Sequence, residues 1–447
     1  MPRTPKKSTA PIEKHTIPTV PAAEQPYQVP GNWRWVRLGE IYVINPPVEG
    51  DDSMDVSFVP MEKVNPGMCS DFTFDILPWK QAKKGHTRFA NGDIAFAKIS
   101  PCFENRKAFI ATGLLNGIGG GTTELIILRH PKILQKYTYY SIMADRFING
   151  GVQTYSGTVG QQRISMDYVR NYPIPLPPLA EQQRIVDRIE RLFAKLDEAR
   201  EKAQAVVDGF ENRKAAILHK AFTGELTKKW REERGIGIDS WKTTNLKDCA
   251  ITIGDGLHGT PIFDESGNYF FVNGNNFSVD HIDIKPDTKT VPVSEFNKYK
   301  IELSAESTVF VSINGTLGKT AFYNNEPIIL GKSACYINVN KHLNKYFLRY
   351  YFTSNEFIDY ANKMATGSTI KNLGLKAMRS LSLFLPFIYE QTEIVRILDS
   401  LLDKEQRARD LAESVIAQID GMKKAILARA FRGELGTNDP SEAACEG

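Results

Sequence analysis

The segment LPPLAEQQRIVDRIERLF, beginning at Leu176, returns as LPFIYEQTEIVRILDSLL at Leu385, 209 residues later. The correspondence runs without a gap to KAAILHKAFTGEL, ending at Leu226, and KKAILARAFRGEL, ending at Leu435. Roughly twenty of about fifty paired positions are identical, so one supersecondary unit is used twice and any fold must accommodate both copies.

Within each copy the apolar residues step by four and three. They are Ile185, Ile189, Leu192, Leu196, Ala199, Ala203 and Val206 in the first, and Ile394, Leu398, Leu401, Ala408, Ala412 and Val415 in the second. This is the narrow a/d stripe that seats one helix against another. Pro177, Pro178 and Pro386 stand just ahead of the helices, where a missing N–H costs little; Gly224 and Gly433 follow, where a left-handed residue closes a helix. A segment of about 40 residues reaches on the order of 60 Å if unbroken. Two matching stripes in one chain most simply pack on each other, with the mid-seam alanines allowing close approach. Glu405 stands where the first copy has Leu196 and interrupts the second stripe, as either a polar contact or a frayed spot.

Taken alone, such stripes fit a structural coiled coil. The intervening regions add to this. Each helix follows a region of about 150 residues that opens alike, with Trp33-Arg34-Trp35-Val36-Arg37-Leu38 in one and Trp241-Lys242-Thr243-Thr244-Asn245-Leu246 in the other. The closings also match, SGTVGQQRISMDYV from Ser156 and TGSTIKNLGLKAM from Thr366, while the interiors diverge almost completely. One fold carrying two specificities is the expectation. The interiors read as short alternating strands broken by Gly, Asn and Asp, with helix near 137–148 and 343–364. The expected fold class is α+β: two mixed α/β domains, residues 28–173 and 233–382, separated by helical spacers 174–232 and 383–436. The two long antiparallel helices form an intramolecular coiled coil, giving a pseudo-twofold circular repeat. Antiparallel helices would hold the two domains a set distance apart.

At 447 residues, 42% hydrophobic and 24% charged, the chain is an ordinary globular protein of several domains. A net charge of +4 is compatible with a polyanionic partner but far from histone-like. Cys69, Cys102, Cys249, Cys335 and Cys445 form no CxxC pair, and the histidines make no ligand cluster with them, so no zinc site and a reducing compartment are expected. With no long apolar run and no secretory leader, a cytoplasmic location is expected. Residues 1–27 read as a disordered basic arm and 437–447 as a flexible tail.

The order domain, helix, domain, helix, with EQQRIV/EQTEIV and AFTGEL/AFRGEL, resembles the specificity subunits of Type I restriction-modification systems. The resemblance covers nearly the whole chain and includes GDIAFAKISPCFENRKA from Gly92, GGGTTELIIL from Gly119, GDGLHGTP from Gly254 and NGTLGKTAF from Asn314. It implies that the two domains are target recognition domains, each reading one half of a bipartite target in double-stranded DNA, with the helices setting the spacer. It further implies two modification (methyltransferase) subunits and restriction (translocase-nuclease) subunits as partners. S-adenosylmethionine, ATP and Mg would be used by those subunits, and this chain would be noncatalytic with no cofactor of its own. A coiled-coil scaffold with two protein-binding domains is the alternative, and a self-contained methyltransferase-nuclease fusion is a third reading.

The chain offers little chemistry of its own. Asn45-Pro46-Pro47-Val48 is like the NPP-aromatic motif of adenine methyltransferases, but valine replaces the ring that stacks on the flipped base, and no Gly-rich cofactor loop precedes it. Gly315-Thr316-Leu317-Gly318-Lys319-Thr320 ends like a phosphate-binding loop, yet Ile313 stands where its first glycine is required, so a turn between strands is the better reading. Candidates for DNA contact are Lys98, Arg106, Lys107, Gln162 and Arg163 in the first domain, and His258, Asn314, Lys319, Lys371 and Asn372 in the second. Arg and Lys meet guanine edges or phosphates, and Asn and Gln pair with adenine. A turn-stabilising role suits His258, and Trp33, Trp35 and Trp241 read as core anchors. The charged helix residues Arg188, Arg191, Lys195 and Arg200 are solvated or dock partners.

Overall fold

The computed structural model describes residues 18–130, 132–367 and 370–444. The chain divides into two compact units, Met1–Lys202 with Val415–Gly447, and Ala203–Ser414. The helices that matter below are α1 (Gln135–Met143), α2 (Leu179–Asp208), α3 (Phe210–Phe222), α4 (Lys345–Phe352) and α5 (Ile388–Ala430). The second copy of the repeat is one helix of 43 residues. The first is parted at Gly209, a residue with low helix propensity.

In the first unit β1 (Arg34–Arg37) pairs antiparallel with β10 (Pro173–Leu176), closing the mixed domain on itself just before α2. Between them lie β2 (Val43–Ile44), β3 (Asp55–Val59), β4 (Asp75–Pro78), β5 (Thr87–Ala90), β6 (Ile94–Ala97), β7 (Ala108–Ile110), β8 (Ile118–Gly121) and β9 (Leu125–Arg129). They form two sheets of order β2-β9-β6-β7 and β4-β3-β8-β5, the second containing a parallel β3/β8 pair. The glycine run of β8 is steric: a Cβ on Gly120 would lie 2.3 Å from the Ala82 carbonyl oxygen.

The second unit repeats this plan. Here β11 (Lys242–Asn245) pairs with β21 (Ser382–Leu385) ahead of α5. The interior strands are β12 (Ala250–Asp255), β13 (Tyr269–Val272), β14 (Phe277–Ser278), β15 (His281–Ile282), β16 (Thr290–Val291), β17 (Thr308–Ser312), β18 (Thr320–Phe322), β19 (Ile328–Leu330) and β20 (Ala334–Val339). Their sheets run β12-β20-β17-β18 and β16-β13-β19, again with one parallel pair, β13/β19. The principal four-stranded sheet thus has one topology in both units, while the other sheet has four strands in the first unit and three in the second, which adds the hairpin β14-β15; the expected α+β class with two mixed domains and a repeated helix is what the chain adopts.

Within each unit the start of one long helix lies antiparallel to the end of the other. In the first, Asp197 pairs with Lys423 and Arg200 with Asp420, both at 2.5 Å. In the second, Arg213 Nε donates to Glu405 Oε2 at 2.7 Å, so Glu405 interrupts the stripe as a polar seam contact. Ile185, Ile189, Ala203, Ile394, Leu398 and Ala412 are buried, and Leu192, Ala199, Val206, Leu401 and Val415 are half-buried. Ala408 is a correction: it is exposed, because the stripe there runs through half-buried Leu402, Glu405 and Arg409 before reaching Ala412. Gly224 and Gly433 close their helices with φ of +78° and +75°, as expected.

The expected arm and tail differ from the reading where they are described. Val20 is buried and donates its N–H to the Trp35 carbonyl at 2.8 Å, and Tyr27 Oη donates to the Phe431 carbonyl at 3.1 Å. Arg184 holds Glu442 through two bonds of 2.8 Å. Both segments contain apolar or polar groups that find partners on the first unit, which composition alone does not reveal. Residues 1–17 and Cys445 lie outside the described residues.

Candidate nucleic-acid interface

The repeated Glu-Gln pair positions each mixed domain on its helix. Glu181 Oε2 accepts the Trp33 indole N–H at 2.8 Å, and Glu390 Oε2 accepts that of Trp241 at 3.0 Å. Gln182 Oε1 takes the backbone N–H of Leu134 at 3.1 Å, just ahead of α1; Gln391 Oε1 takes that of Asn344 at 2.8 Å, just ahead of α4. The opening tryptophan and the first interior helix are thus tied to the same helical turn. Trp33, Trp35 and Trp241 are all buried, as read. No single-copy motif signals these ties, but their recurrence at one offset in both copies does.

At one end of each principal sheet, the loop leaving a central strand meets the closing hairpin. In the first unit Ser100 N donates to Gln162 O at 2.8 Å and Ile164 N to Lys98 O at 3.0 Å. In the second Gly315 N donates to Lys371 O at 2.9 Å and Leu373 N to Ile313 O at 2.8 Å. This junction gathers Lys98, Gln162 and Arg163 in one unit, and Asn314, Lys371 and Asn372 in the other. Lys319 is exposed on the same loop as Asn314, with its backbone N–H on Ser312 Oγ at 2.9 Å.

The candidate side chains are not equally free. Arg106 donates through Nε to the Met143 carbonyl at 3.0 Å and pairs with Asp145, its side chain only 12% exposed. Lys107 Nζ is spent on the Met61 carbonyl at 2.8 Å. Both act within the fold. Lys371 Nζ bonds Asn362 at 2.6 Å at the surface, and His258 Nε2 meets Asp255 at 2.6 Å, a turn contact. Arg163 embraces Glu124, Nε to Oε2 at 2.9 Å and the terminal nitrogen to Oε1 at 2.8 Å. The hydrogen bond from Arg163 outweighs partial desolvation and holds the Glu124 carboxyl below the usual carboxylate range. Glu124 escapes a reading of the sequence, since nothing local links it to a residue 39 positions away.

The two motifs with catalytic echoes are structural. Asn45 takes φ of 53° and its Oδ1 accepts the Ile127 N–H at 2.9 Å, while Val48 is buried against Val56 and Trp79. The 315–320 segment is the turn between β17 and β18, closed by Gly318 N on Ser312 O at 3.1 Å. Among the described residues no cluster of three or more His, Cys, Asp or Glu could hold a metal, and no helix is long and apolar enough to cross a membrane.

A family profile described as the Type I restriction modification DNA specificity domain matches residues 30–206 and 238–412. The chain belongs to this family. The two matched copies coincide with the two repeats of recognition domain and following helix. Among relatives of this specificity family, the chain is similar to the EcoAI specificity subunit of Escherichia coli, 39% identical over 45% of this chain and 35% of that one. The EcoEI subunit, also of Escherichia coli, is 38% identical over 44% of this chain and 33% of that one. The chain thus spans about a third of the length of these relatives. A putative MjaX specificity subunit of Methanocaldococcus jannaschii is 23% identical over 91% of this chain and 95% of its own. Of solved structures, the HsdS subunit from Thermoanaerobacter tengcongensis shares the fold, with a TM-score of 0.69 at 21% identity, covering 92% of this chain and 100% of that one.

Proposed function

We propose that this chain is a noncatalytic, sequence-specific DNA-binding subunit of a Type I restriction-modification complex, reading a bipartite duplex target with one half per recognition domain. Residues 28–173 and 233–382 are the readers, and 174–232 and 383–436 the helical frame that sets the spacer. The observation that carries this reading is the pairing of one principal sheet topology with unlike interior sequences: the two domains share a scaffold and differ in the segments it carries. Half-sites one helical turn apart have centres roughly 34 Å apart, within reach of helices this long. Methylation of adenine with S-adenosylmethionine, and ATP- and Mg-dependent translocation and cleavage, fall to two modification subunits and to restriction subunits. These dock on this chain, for which the exposed helix residues Arg188, Arg191 and Lys195 are available.

Methylome sequencing of the source cell tests the reading. The expected result is a methylated motif with two fixed halves and an unspecified gap of constant length, which disappears when this gene is deleted. A continuous motif, or a split motif that survives the deletion, contradicts it. A scaffold for two protein partners would leave the methylome unchanged.

A further inference from the structure

The two hairpin junctions share one bridging pattern, although the second hairpin is one residue shorter. Arg163 forms bridges with Ser156 across its hairpin and with Ile99 on the strand-end loop; Asn372 does the same with Thr366 and Asn314. The neighbouring backbone bonds, Gln162 with Ser100 and Lys371 with Gly315, are also matched. Arg163 and Asn372 therefore occupy one position in a common frame. The position of Glu124 in the sheet is matched as well. Leu125 pairs with Ala97 at the end of one sheet and Ala334 with Ser312 at the end of the other, so Glu124 corresponds to Ser333. The frame is shared, but both residues have changed, and Ser333 Oγ accepts the Gly274 N–H at 3.1 Å.

What has changed bears on base reading. A guanidinium presents five N–H donors in a rigid fork. Glu124 takes Nε and one terminal N–H, and the Gln161 carbonyl takes another at 3.0 Å. One donor remains on each terminal nitrogen, the number that guanine O6 and N7 accept from an arginine. The carboxylate fixes the fork and offsets its charge, which favours a neutral, geometrically exacting acceptor pair over a phosphate. Arg163 stays 43% exposed at the loop-bearing end of the sheet. The exposed Asn372 offers instead one donor and one acceptor, the pair that adenine N6 and N7 takes.

We infer that position 163, and its counterpart 372, determine one base pair in each half of the target: Arg163, positioned by Glu124, reads a guanine in the first half, and Asn372 reads an adenine in the second. This rests on the DNA-reading role proposed above, and selection from random duplexes with the full-length chain separates the two. The wild-type chain should enrich a split motif with a G·C pair in one half. Arg163→Lys should lower discrimination at that pair roughly 5- to 150-fold, the equivalent of losing one bidentate contact. Glu124→Gln should weaken the same preference less. Arg163→Asn with Glu124→Ser, which installs the second unit's set, should move that pair away from G·C. In all three variants the other half should be unchanged, which also reports that the chain is folded. Unchanged base preference in both halves with weaker binding to every duplex would make Arg163 a backbone contact and overturn the assignment. No enriched motif with the wild-type chain would overturn the DNA-reading role itself.

Discussion

The two units solve the same structural problems with opposite choices of charge. Where the recognition domain meets its helix, the second unit uses a buried ion pair: Arg231 donates to Glu390 at 2.6 Å with the two side chains 6% and 2% exposed, alongside Thr227 and Trp241. The first unit meets the equivalent Glu181 with neutral donors, Trp33, Asn438 and Thr437. Inside the principal sheet the choice reverses. Asp93 holds Arg129 through bonds of 2.6 and 2.7 Å, while the matching pair in the second unit is Thr308 donating to Asn338 at 2.7 Å. The lesson is that this frame specifies which positions must be polar and paired, not which charges they carry. A sequence can therefore drift across most of a domain while the topology holds, because the buried donors at these matched positions still find acceptors.

This comparison can be broken by removing the carboxylate common to both. Glu390→Ala strands a buried guanidinium and an indole N–H, and should cost about 3–5 kcal/mol. Glu181→Ala strands neutral donors alone and should cost about 1–3 kcal/mol. Denaturant unfolding of the two variants, with hydrogen exchange to locate the loosened unit, checks both size and place; equal losses would contradict the contrast. A smaller effect sharpens it. Arg213→Met with Glu405→Leu replaces a half-exposed seam ion pair by the apolar residue the first copy carries at Leu196. Stability should change by less than about 1 kcal/mol in the same assay.

Much of the architecture was legible because it is repeated. The gapless offset, the proline and glycine punctuation and the tryptophan openings each appear twice, and each corresponds to a feature of the fold: helix entry, left-handed closure and buried anchor. The misplaced residue, Ala408, lies just past Glu405, where the apolar spacing was resumed one position away from the face that Glu405 and Arg409 occupy. The packed segments 18–27 and 437–444 were misjudged for another reason, since Val20, Tyr27 and Glu442 are held by partners far away in the chain. The candidate site was legible as a set of loops but not as a ranking. Arg106 and Lys107 look like DNA ligands in the sequence and are committed to the fold. Glu124 carries no local signal in the sequence, yet it holds Arg163 at the junction through two hydrogen bonds.

The central claim is that two independent readers are mounted on one repeated frame. Exchanging residues 28–173 for the first domain of another family member, then sequencing the methylated motif in a cell carrying the modification subunits, tests it most directly. One half of the motif should change while the other half and the gap stay as they were. A change in both halves would contradict the account.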